Sequence, residues 1–137
     1  PLNQNSTLWS SWAIKSSVIK IYFSGDSGYG MHLKKIGEKH GPFDFSLIDC
    51  GQYNKAWKHS HMFPKQAVTA AIDLKSRYFM PIHWGGFILA MHPWDEPVKE
   101  SKKFAAERGL NCLTPKIGYI LSKEILDKKS NEWWEKY

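Results

Sequence analysis

Val18-Ile19-Lys20-Ile21-Tyr22-Phe23 runs directly into Ser24-Gly25-Asp26-Ser27-Gly28-Tyr29-Gly30. The first six residues are mostly β-branched or aromatic, the composition of a buried strand. The glycine-punctuated stretch behind them predicts a turn, which leaves the Asp26 carboxylate at the strand's carboxyl end. A second apolar run ends in the same way 57 residues after Asp26, at Tyr78-Phe79-Met80-Pro81-Ile82-His83-Trp84-Gly85-Gly86-Phe87. An Asp and a His, each at the exit of a strand, form a plausible pair of metal ligands. For Asp26 the alternative is a turn residue that caps the following helix. For His83 it is an imidazole satisfied within the core. The glycines after Trp84 favour a site, because they let backbone crowd a rigidly held ring.

The intervening sequence alternates strand and helix signals. Leu8, Ser10, Trp12 and Ile14 suit a first strand, and residues 17–23 a second that can pair with it as a hairpin. A helix is expected over Met31–His40, ended by Gly41-Pro42. Phe43–Cys50 reads as a third strand, buried on both sides. After a loop, Pro64 opens a helix whose apolar face is Ala67, Val68, Ala71, Ile72 and Leu74. Residues 78–82 give a fourth strand, and Pro97–Arg108 a third helix closed by Gly109. Asn111–Leu113 and Ile117–Leu121 read as short final strands, and Lys123–Lys136 as a C-terminal helix or tail. The expectation is one α/β layered domain over residues 1–137. Trp9 and Trp12 are expected in its core.

Composition excludes several classes. At 137 residues, with seven Trp, seven Phe and six Tyr, the chain can bury a core. Its net charge of +6 is scattered, with no run of five like charges. An anionic substrate suits that balance, and no nucleic-acid partner is expected. Cys50 and Cys112 belong to no Cys-x-x-Cys pair, which fits free thiols in a reducing, cytoplasmic setting. Membrane association stays open, although no apolar run is long enough to span a bilayer. No serine elbow, Walker loop or dinucleotide glycine motif is present.

Two further residues border the prospective site. In His59-Ser60-His61, His61 is the better placed, just ahead of Pro64 and its helix, as an acid, base or hydrogen-bond donor facing substrate. Tyr53, after Gly51, either lines the pocket and contacts substrate or is a packed loop aromatic. His32, His40 and His92 have no companion pattern.

Four blocks together resemble the metallo-β-lactamase superfamily, in the branch of the N-acyl phosphatidylethanolamine phospholipase D and ascorbate-6-phosphate lactonase enzymes. They are Asn5–Trp12, Ile21–Tyr29, Gly51-Gln52-Tyr53 through His61-Met62-Phe63-Pro64 to Val68, and Pro81–Phe87. The resemblance implies that this chain is the C-terminal half of a four-layer αββα sandwich. It implies two divalent cations, of zinc type, with Asp26 bridging them, His83 binding one, and His61 beside the substrate. It implies metal-bound hydroxide attacking a phosphodiester or lactone, with a small-molecule or phospholipid-like anionic substrate. The family's His-x-His-x-Asp-His cluster is absent from this sequence. The metal centre is therefore expected to be incomplete and the chain alone inactive, with the N-terminal half as its missing partner. A different reading is a non-catalytic assembly module that uses an uncovered apolar sheet face to pair with its own copy or with a missing half.

Overall fold

Five strands form one sheet in the order β1-β2-β3-β4-β5, with β1 antiparallel and the others mutually parallel. They are β1 Trp12–Lys15, β2 Lys20–Phe23, β3 Phe43–Asp49, β4 Ser76–Ile82 and β5 Asn111–Cys112. Three helices, α1 Met31–His40, α2 Pro64–Asp73 and α3 Glu96–Glu107, make the crossovers between successive parallel strands. The structure is a computed structural model, and it describes residues 10–122, 126 and 132–137.

Neighbouring parallel strands joined by right-handed crossovers place every helix on the same face of the sheet. The core follows from that layering. Tyr22, Ile48 and Phe79 of the sheet pack with Leu33 of α1, Ala67, Val68 and Ala71 of α2, and Ala105 of α3. Pro64 occupies the first turn of α2, where its missing N–H leaves no helix bond unmade. The Gln66 side chain reaches back to accept the Phe63 N–H at 3.0 Å. Gly109, at φ 65°, ends the turn after α3.

The opposite face has no covering layer among the described residues. Register puts Ile21, Phe45 and Tyr78 in one row and Phe23, Leu47 and Met80 in the next. Phe45 and Tyr78 stack at 5.4 Å. Tyr78 is buried, Ile21, Phe45, Leu47 and Met80 are half-buried, and Phe23 is exposed.

Several sequence expectations need correction. Ile117–Leu121 is no strand: Pro115 has no N–H for a ladder, Gly118 turns the chain at φ 89°, and Ile117 and Ile120 are exposed. Trp12 is 63% exposed on the edge strand rather than in the core. The proposed positions of Leu8 and Trp9, and most of the Lys123–Lys136 helix, lie outside the described residues. Within that tail the structure describes a short 3₁₀ turn at Trp133–Lys136, which buries Trp134 edge-on against Trp84 at 5.7 Å.

Candidate metal centre

Ligands of open α/β sheets collect at the carboxyl ends of parallel strands. Here the exits of three adjacent strands carry Asp26 after β2, Asp49 at the end of β3 and His83 after β4. The β3–α2 loop brings His61 to the same end. Asp26, His61 and His83 each present a donor atom, and the three atoms lie within 4.8 Å of one another. The His61 and His83 rings stack at 5.1 Å with 19° between their planes.

Two glycines make this convergence possible. A Cβ at Gly28 would stand 2.5 Å from the Lys58 carbonyl oxygen. Only a bare α-carbon lets the Asp26 loop lie against the loop that carries His61. There the Gly28 N–H donates to the His59 carbonyl at 3.1 Å. A Cβ at Gly51 would stand 1.7 Å from the His83 carbonyl oxygen, so the exits of β3 and β4 meet backbone to backbone. His83 itself has φ 67°, a left-handed conformation uncommon outside glycine. Its neighbour Trp84 is pinned by an Nε1–H bond to the Pro81 carbonyl at 2.9 Å and by Trp133 stacked at 5.5 Å.

Asp49 is a residue of this cluster's surroundings that the sequence reading missed. Its carboxylate is fully buried, and Oδ2 lies 2.8 Å from Nδ1 of His61, whose side chain is 16% exposed. The Asp49 N–H donates to Ser24 Oγ at 2.9 Å, which ties the ends of β2 and β3 together. Burial pushes the Asp49 carboxyl above its ordinary value, and the hydrogen bond and charge of His61 pull it back. The signal was present in the sequence: an acid at the end of an apolar run, just before Gly51, needs a partner once buried.

Tyr53 stands apart from the three-residue cluster. Its ring packs against Phe63 at 4.9 Å and stacks on His92 at 4.2 Å, and its hydroxyl donates to Glu96. Burial and the Glu96 carboxylate push its phenol well above the ordinary value, so it remains a donor. Beside it Gln52 accepts the N–H groups of Leu89 and Ala90 and donates to the Phe87 carbonyl, shaping the loop after His83. His59, His32 and His40 are exposed.

A carboxylate and an imidazole, those of Asp26 and His83, suit a borderline dication such as zinc, with His61 beside them and engaged through Nδ1 by Asp49. The Asp26 and His83 donor atoms are close enough to share an ion, and both residues are exposed. Two ligands are fewer than a closed four-ligand site needs.

Comparison with known proteins identifies the family and the fold. The chain is 48% identical over 136 residues to an uncharacterised protein of Mycobacterium tuberculosis, a match covering 97% of this chain and 36% of the relative. It is 34% identical over 125 residues to the mitochondrial N-acyl-phosphatidylethanolamine-hydrolyzing phospholipase D of Saccharomyces cerevisiae, covering 85% and 26% respectively. The chain thus spans about a third of the length of the curated relatives it matches. Among solved structures, a metallo hydrolase from the archaeon Ignicoccus hospitalis superposes with a TM-score of 0.62 at 21% identity, over 80% of this chain and 43% of that one. That likeness supports the α/β fold, as part of the larger αββα sandwich. Residues 1–84 match the family described as the beta-lactamase superfamily domain, and the chain belongs to the metallo-β-lactamase superfamily.

Proposed function

We propose that this chain carries part of the active centre of a metal-dependent hydrolase whose substrate is an anionic ester, a phosphodiester or a lactone. The observation that carries the reading is the convergence of Asp26, His61 and His83 at the carboxyl end of the parallel sheet. The likeness to a phospholipase D and the net charge of +6 favour an anionic, phospholipid-like substrate. No described helix is long and apolar enough to cross a membrane.

Asp26 and His83 would hold the metal, of zinc type and in the family manner part of a two-cation centre. Such a cation supplies Lewis acidity and makes water more acidic near neutral pH. The remaining work falls to the chain's own side chains. His61 stands over the cluster with Nδ1 engaged by Asp49, leaving Nε2 for substrate. In phosphodiester hydrolysis the water oxygen bonds to phosphorus as its proton passes to the free Nε2 of His61, the bond to the leaving oxygen breaks, and the same Nε2 then hands that proton to the leaving oxygen. Tyr53, with its hydroxyl committed to Glu96, fixes the loop ahead of His61 rather than touching substrate.

Asp26→Ala and His83→Ala test the assignment, in the protein completed by its N-terminal half, by zinc titration calorimetry and turnover of bis(p-nitrophenyl) phosphate. Each variant should weaken zinc binding by at least about 100-fold. Undiminished affinity in both would end the reading.

A second reading rests on the open face bearing Phe23, Phe45, Leu47 and Met80. That face would receive a second layer, either the other half of the family sandwich or a second copy of this chain. The two readings meet if the docked layer supplies the remaining ligands. A metal-free dimer in sedimentation, with no zinc taken up, would leave assembly as the sole function.

A further inference from the structure

We propose that Asp49 is a positioning residue for catalysis: it holds His61 as the Nδ1–H tautomer and thereby reserves Nε2 for substrate. Three observations support this. The Asp49 carboxylate is fully buried, yet the main group that meets it is a single imidazole nitrogen, at 2.8 Å. Its other contact is a long bond from the Ser27 N–H at 3.4 Å, and Oδ1 has no partner among the described residues. A buried acid so sparsely satisfied is a poor device for stability, since an apolar residue of the same size would avoid the desolvation cost.

The second observation is anchorage. Asp49 lies on β3, paired with Ile82 in the register that delivers His83, and its N–H is held by Ser24 Oγ. The carboxylate therefore has a fixed position relative to both strand exits that carry prospective ligands. His61, by contrast, lies on a loop and needs an external reference to keep its ring aligned.

The third is direction. An imidazole that donates through one nitrogen presents the lone pair of the other, and a carboxylate can only accept. Asp49 therefore selects the tautomer as well as the ring angle. The His61 ring lies nearly parallel to that of His83, with centroids 5.1 Å apart. When His61 takes up a proton at Nε2, the same carboxylate faces the resulting imidazolium.

The catalytic consequence rests on the hydrolase reading above, but the tautomer does not, and the test separates them. In the metal-free, ¹⁵N-histidine-labelled protein at pH 8, long-range ¹H–¹⁵N NMR reads each imidazole nitrogen, with His61→Gln identifying the resonance. The expected result is a single His61 tautomer, protonated at Nδ1. In Asp49→Asn the carboxamide can donate to Nδ1, and the signal should move to the Nε2–H form or to a mixture. In the zinc-loaded protein completed by its N-terminal half, the variant's turnover of bis(p-nitrophenyl) phosphate should fall about 10- to 100-fold in kcat with KM little changed. A wild-type His61 protonated at Nε2 would overturn the proposal without any variant. So would a folded Asp49→Asn protein with an unmoved tautomer. Failure of the completed wild-type protein to bind zinc would count against the hydrolase reading instead.

Discussion

Replacing Gly51 by Ala tests how the site is assembled. The new Cβ would sit 1.7 Å from the His83 carbonyl oxygen and 2.4 Å from its carbon, whereas real Cβ contacts essentially never fall below 3.0 Å. Both atoms it meets are backbone, so no side-chain rotation relieves the clash. The exits of β3 and β4 must separate by about 1.3 Å, which a close-packed interior resists. Overpacking of this kind costs about 1–3 kcal/mol, and a backbone clash belongs at the upper end. For a chain of this size that is a fall of roughly 6–12 °C in Tm. The displacement also exceeds the ~0.5 Å tolerance of a working site, so in the protein completed by its N-terminal half zinc affinity and turnover should each fall by about 100-fold. Gly86→Ala is the matched control. It lies on the same loop after His83, but nothing stands within 4 Å of its added Cβ. Circular-dichroism melting and zinc calorimetry on both variants measure the two effects. A Gly51→Ala protein that melts and binds zinc like Gly86→Ala would refute the close-approach argument.

The two cysteines should be nearly inert in the native state. Burial pushes the Cys50 thiol far up and the Cys112 thiol up to about 12, so at pH 8 almost none is thiolate. Ellman's reagent should modify native Cys112 roughly 1,000-fold more slowly than a free thiol, and both cysteines should react promptly in denaturant; a fast native phase would contradict their placement. Tyr53→Phe removes the bond to Glu96 while keeping both ring contacts. Chemical denaturation should show a loss of about 1–2 kcal/mol, with KM for bis(p-nitrophenyl) phosphate unchanged. A raised KM at unchanged stability would return Tyr53 to substrate contact.

Some of this architecture was legible in the residues, and the reasons are physical. The α2 start is written in Pro64, whose ring and missing N–H admit few other places. The parallel strands are written in runs such as Phe45-Ser46-Leu47-Ile48, where Ser46 and Ile48 meet the helices and Phe45 and Leu47 lie half-buried on the open face. The Ile117–Leu121 segment has the same apolar character and failed as a strand. Its pattern is set against Pro115 and Gly118, and local punctuation outweighed hydrophobicity. Trp12 was misplaced for a different reason. Alternation identifies a strand but not its rank in the sheet, and β1 is the edge.

The site divides along the same line. Asp26 and His83 sit at strand exits, so their position relative to one another follows from the sheet once its order is known. The parallel order then follows from right-handed crossovers between successive strands. His61 has no such frame, because it lies on a loop whose path depends on contacts that no periodicity encodes. Its location is fixed by what touches that loop: Gly28 beneath His59, and Asp49 against Nδ1. Asp49 escaped notice because it was read as the tail of a strand, where an acid looks like the start of a turn. In the fold it falls on the face shared with Leu47 and Ile82, one strand away from each prospective ligand. A buried charge at that position has no packing advantage over the apolar residues before it. What its desolvation cost supports, on the proposal above, is an imidazole kept in one orientation.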